Sequence, residues 1–168
     1  MTGTLKVDAL QNNTGTSALS FNSDGVVTHN KIPMLKVGEV GTLTMGGNND
    51  YIRYNSFASS DVFDGEDNMN AFNTSTSTYT IPANCSGLWF ISASVYATTS
   101  NINQLAVYVN GVREDAIGSD GGETDMNQGS ITKRLNAGDE IQIWAFYASN
   151  VTTQGNLYHT WWQMNFIG

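Results

Sequence analysis

The chain has 168 residues, and its 15 acidic against 7 basic side chains give a formal net charge of -8. That length suits one domain with a short appendage rather than two full domains. The negative balance argues against nucleic acid, because phosphate binding needs clustered Lys and Arg to release counterions. Only 13% of residues are charged, and abundant Ser, Thr, Asn and Gly carry the polarity, a composition that favours an all-β protein. A single cysteine, Cys85, excludes an intrachain disulfide, so packing or oligomerisation must hold the fold.

The first thirty residues read as short strands and tight turns: TLKVDAL alternates, QNNTG turns, SALSF alternates, NSDG turns and VVTH follows. Strands this short bury too little apolar area to stand alone. Leu5, Val7, Leu10, Leu19, Phe21 and Val26 therefore need cover from another chain, and residues 1–32 read as an N-terminal β anchor or stalk. The start lacks the basic flank and apolar run of a secretory signal, and no stretch has the apolar length of a membrane span, so no membrane partner is expected. Sequons at Asn12, Asn73, Asn84 and Asn150 carry little weight in a chain so rich in Asn and Thr.

Residues 33–168 read as one sandwich or jelly-roll domain. After Pro33, the turn GGNND separates two strands in MLKVGEVGTLTMGGNNDYIRYNS, and an acidic stretch, SSDVFDGEDNMNAFN, follows. Asp61, Asp64, Glu66, Asp67 and Asn68 are hard oxygen donors, but they lack calcium-loop spacing and read as a solvated loop. STSTYTIPANCSG then delivers the chain into LWFISASVYA, with Pro82 placed at a strand edge. The strands QLAVYVNG, GSITKRLNAGD, EIQIWAFYAS and LYHTWWQMNFIG follow, separated by turn signals and with no amphipathic helix.

Three of these strands are apolar on both faces. In LWFISASVYA, Leu88, Phe90 and Tyr96 oppose Trp89, Ile91, Ala93 and Val95; in EIQIWAFYAS, Ile141, Ile143, Ala145 and Tyr147 oppose Trp144 and Phe146. The last strand sets Tyr158, Trp162, Met164 and Phe166 against Trp161 and Ile167. A sandwich sheet normally wets one face. The expectation is therefore an oligomer in which these strands form inner sheets meeting around a common axis, while SITKRL, with polar Ser130, Thr132 and Arg134 on one side, belongs to an outer sheet.

DYIRYNS with DVFD, STSTYTIPANCSGLWFISASVYA, AVYVNGV, SITKRLNAGDEIQIWAFYAS and YHTWWQMNFIG together resemble, in order over about residues 48–168, the globular head of complement-type proteins. That family shares its trimeric jelly roll with tumour necrosis factor. Gly87 stands where the family places a glycine at the start of this strand. The resemblance implies an all-β, antiparallel jelly-roll sandwich forming a homotrimer, with Trp89, Ile91, Trp144, Phe146, Tyr158 and Trp162 as its trimer interface. TLKVDALQNNTGTSALSFNSDGVVT separately resembles the lead segment of structural proteins of tailed bacteriophages, especially those of cyanobacteria and marine bacteria.

His29 and His159 are the only histidines and neither lies in a catalytic signature, so no enzyme activity, metal or other cofactor is expected. The tryptophans sit in strands expected to be buried, which leaves the loops as candidate ligand sites: Asn101, Asn103, Asp120, Glu123 and Asn150. The reading is a capsid-surface decoration (cement) protein of a virion, with the major capsid protein and a second decoration protein as partners. The alternative is a short tail or head fibre whose loops bind a host-surface glycan.

Overall fold

A computed structural model describes residues 9–11, 17–21, 23, 27–28, 32–46, 49–57, 59–60, 63–98, 102–119, 126–147 and 151–168. It divides into two compact units, Met1–Ile32 and Pro33–Gly168. The first unit holds β1 (Ala9–Gln11), β2 (Ser17–Phe21) and β3 (Val27–Thr28), paired antiparallel in that order.

The second unit begins with β4 (Met34–Gly38), β5 (Thr44–Met45), β6 (Asn49–Tyr51), β7 (Ser59–Ser60), β8 (Phe63–Asp64) and β9 (Glu66–Asp67). It continues with β10 (Phe72–Asn73), β11 (Thr78–Thr80), β12 (Gly87–Tyr96), β13 (Ile102–Val109), β14 (Val112–Ser119) and β15 (Met126–Leu135). β16 (Glu140–Tyr147), β17 (Val151–Thr152) and β18 (Trp161–Phe166) complete it. One sheet runs β10-β11-β16-β13-β14, with β6 also on β16; the facing sheet runs β15-β12-β18-β4-β9. All pairings are antiparallel, and the two sheets pack as a jelly-roll sandwich.

Strict alternation decides what lies between the sheets. Trp89, Ile91, Ala93 and Val95 of β12, Trp162 and Met164 of β18, and Ile141, Ile143 and Ala145 of β16 all bury in one core. The Trp89 indole N–H donates to the Cys85 carbonyl at 3.0 Å, which satisfies its one donor inside the core. The three doubly apolar strands do not share a sheet as expected: β12 and β18 lie side by side, and β16 lies in the opposite one. The protomer thus has two separate outward faces of mixed character. Ser130, Thr132 and Arg134 do point outward on β15, but that strand pairs with β12, so polar and apolar outward faces meet within one sheet.

One tight turn and one close strand approach fix the ends. Asn110 and Gly111 both have positive φ, 53° and 77°, the geometry of a two-residue hairpin turn that matches strand twist. At one open side of the sandwich β14 and β15 close together, where Lys133 pairs with Asp115 at 2.7 Å and Glu114 at 3.2 Å. A Cβ on Gly129 would lie 1.3 Å from the Ile117 carbonyl oxygen, so only glycine permits this approach.

Candidate functional site

The outward face of the β16 sheet carries a run of aromatic rings. Trp144 stands opposite Ala106 of β13 and Tyr51 of β6, and the small alanine leaves room for the indole to stack on Tyr108, with centroids 4.5 Å apart and planes at 18°. Tyr51 meets the other side of this group at 6.0 Å and Phe146 lies 6.5 Å from Tyr108. Arg53 sits over Tyr51 at 5.5 Å and Arg113 over Phe146 at 4.6 Å, and Arg113 also donates to Gln104 Oε1. Both guanidinium groups thus lie over rings of the row, where the ring quadrupole attracts a cation.

A chain of amide hydrogen bonds extends this row into a polar pocket. The Trp144 indole N–H donates to Gln142 Oε1 at 3.1 Å, and Gln142 Nε2 donates to the Thr76 carbonyl at 3.0 Å and to Thr78 Oγ1 at 3.1 Å. The pocket, about 380 Å³, is lined by Asn73, Thr76, Thr78, Thr80, Glu140 and Gln142. Tyr108 lies directly opposite Gln142, so the aromatic row adjoins the polar pocket at Gln142, although no ring of the row lines it. Tyr108, Gln142 and this pocket were not picked out from the sequence. The available signal was the apolar second face of EIQIWAFYAS, which reads from the sequence as an oligomer interface.

The expected trimer residues separate into different environments. Trp89, Ile91 and Trp162 have 0%, 0% and 0% exposure within a single protomer. They point between the sheets and belong to the core of the protomer. Trp144 and Phe146 are half-buried on the outer face of the other sheet. Tyr158 is 55% exposed and lies in the turn before β18 rather than in the strand. On the outward face of the β12 sheet lie Leu88, Phe90 and Trp161, half-buried, and Ile167, 56% exposed. The Tyr96 ring contacts His159 at 5.2 Å on the same side.

Asn103 is exposed on β13; Asn101, Asp120, Glu123 and Asn150 lie outside the described residues. Leu5, Val7, Val26, His29 and Asp61 do so as well, and for Leu10, Leu19, Phe21 and Asp64 only the backbone strands are described. Asp67 spends its carboxylate on the backbone: Oδ1 accepts from Met69 N at 3.3 Å and Oδ2 from Phe72 N at 2.8 Å. Asn68 Oδ1 accepts from Met34 N at 3.0 Å, so these two side chains brace the turn beside β9. Among the described residues there is no group of three or more His, Cys, Asp or Glu that could hold a metal. The Cys85 thiol is buried, and burial pushes its pKa up, away from the reactive thiolate.

One buried acid was missed by the sequence reading. Glu39 is 1% exposed; its Oε1 accepts a hydrogen bond from Thr153 Oγ1 at 2.7 Å, while Oε2 and the nearby Tyr54 hydroxyl are buried without partners. Burial drives its carboxyl pKa from 4.5 up to about 7, the Thr153 bond only partly opposing this. The sole clue in KVGEVG was a lone acid within an apolar run.

The sandwich is similar to the globular domain of zebrafish complement 1qA, with a TM-score of 0.57 at 13% identity over 81% of this chain and 98% of that one. It is also similar to murine APRIL, with 0.55 at 11% identity over 80% and 98%, and to Eiger TNF from S. frugiperda, with 0.52 at 9% over 81% and 94%. No family model and no curated protein matches the chain. The fold is therefore the jelly roll of complement heads and tumour-necrosis-factor ligands.

Proposed function

We propose that this chain is a non-enzymatic virion structural protein of a tailed bacteriophage, a homotrimeric capsid decoration (cement) protein. The observation that carries this reading is the division into a small unit, Met1–Ile32, and a jelly-roll body, Pro33–Gly168. The small unit is also the part whose sequence resembles phage lead segments. Its strands have 3, 5 and 2 residues, too short to be stable without a partner. Pairing to the major capsid protein, or to a second decoration protein, would supply one.

In this reading three such anchors on one trimer bind by avidity, each of modest affinity. The trimer forms through the outward face of the β15-β12-β18-β4 sheet. Support comes from Leu88, Phe90 and Trp161, half-buried there, and from Ile167, 56% exposed. Covering what each of these partly buried side chains still exposes contributes a fraction, roughly half, of the ~1.5–3 kcal/mol gained on fully burying one. The test is reconstitution: virions stripped of this protein should take up the full chain and not residues 33–168. Equal uptake of both would overturn the anchor.

A second reading, a short tail or head fibre that binds a host-surface glycan, is favoured by the polar pocket beside the aromatic row on the other sheet. It differs from the first in where the trimer sits on the particle and in its copy number.

A further inference from the structure

We infer that the pocket at Gln142 and Glu140, together with the Tyr108–Trp144 pair beside it, is a binding cleft for a neutral glycan, whether the trimer decorates the capsid or forms a fibre. The ligand class follows from what the cleft offers. The pocket of about 380 Å³ is lined by hydroxyl, amide and carboxylate groups, with the capacity to donate to and accept from sugar hydroxyls. Next to it, joined through Gln142, the half-buried Trp144 and Tyr108 rings, stacked on each other with centroids 4.5 Å apart, offer carbon surface for the C–H face of a pyranose that extends out of the pocket. Sites that orient small ligands combine an apolar wall with a few converging polar groups in this way.

The cleft is also pre-organised. Trp144 is fixed by its bond to Gln142, and Gln142 by its bonds to Thr76 and Thr78, so little side-chain entropy is lost when a ligand settles. Charge narrows the class to neutral sugars. Glu140 lines the pocket and the chain carries a net charge of -8, which disfavours phosphorylated or sialylated ligands. Arg53 and Arg113, the cations on the aromatic row, are engaged with Tyr51 and with Phe146 and Gln104. A second copy of the chain is the less fitting occupant, because the polar pocket would be sealed beneath it while Ile167 stayed exposed on the opposite sheet.

The experiment titrates the full-length protein with maltotriose, cellotriose, triacetylchitotriose and galactotriose, following tryptophan fluorescence and saturation-transfer NMR. At least one should bind saturably, with contact to aromatic protons. Gln142→Ala and Tyr108→Ala, each checked by circular dichroism for a folded body, should weaken that binding about tenfold or more, while Tyr158→Ala on another surface leaves it unchanged. No saturable binding by any of the four, or affinity unaltered in both cleft variants, overturns the site. Loss of the oligomer in Tyr108→Ala by analytical ultracentrifugation would also overturn it, by assigning the face to a second copy.

Discussion

Glu39 and Thr153, 114 positions apart in the chain, are joined by a 2.7 Å hydrogen bond inside the jelly-roll body. The bond links the end of β4 to the segment after β17, and the Glu39 backbone N–H adds a bond to the Thr160 carbonyl at 3.1 Å. A carboxyl with one oxygen left unpartnered in the interior is better tolerated as the neutral acid.

This gives a signed pH dependence. The folded pKa, about 7, lies above the ordinary 4.5, so between these values the folded state binds more proton than the unfolded chain. The contribution of Glu39 is most favourable below about pH 4.5 and falls as pH rises to 7, by up to about 3 kcal/mol. Glu39→Gln should abolish this component: the variant should gain on the parent protein steadily from pH 4.5 to 7 in urea unfolding and stay ahead above it. A parent-minus-variant difference that is flat across that window would refute the buried-acid account.

Two glycines should respond differently to alanine. Gly129→Ala places a methyl 1.3 Å from the Ile117 carbonyl oxygen and must force β14 and β15 apart, at a cost of about 3 kcal/mol or more. Gly111→Ala meets nothing within 4 Å and should cost only about 1 kcal/mol, for its φ of +77°. Thermal or urea unfolding of the two variants checks the order; equal losses would contradict the close approach.

The oligomer interface is testable by charge insertion on each face. Phe90→Asp and Ile167→Asp should convert a trimer to monomer or aggregate, since a carboxylate there would be buried against a neighbouring copy. Trp144→Asp should lower the unfolding midpoint yet leave a trimer. Light scattering after gel filtration distinguishes these, and the reverse pattern would move the axis to the β16 sheet.

Much of the sandwich was legible from residue alternation. LWFISASVYA matches β12, which begins at Gly87, EIQIWAF matches β16, and the NGV signal became the Asn110–Gly111 turn. Alternation separates the two faces of a strand, but it does not say which strand will be its neighbour, so β16 was grouped with β12 and β18 although it lies across the core from them. It also cannot say which of two apolar faces turns inward, and so Trp89, Ile91 and Trp162 were taken for interface. LYHTWWQMNF read as one strand, whereas residues 157–160 form a turn in which the His159 and Thr160 N–H groups both bond to the Asn156 carbonyl at 2.9 Å, and β18 starts at Trp161. The pocket was invisible because its lining comes from β10, β11 and β16, with Tyr108 of β13 beside it, and only the sheet order brings these together.

The most direct test of the account is the number of copies of this chain per virion, measured against the major capsid protein by quantitative mass spectrometry of purified particles. The decoration reading predicts hundreds of copies, in multiples of three. A few dozen or fewer would contradict it and assign the trimer to a fibre.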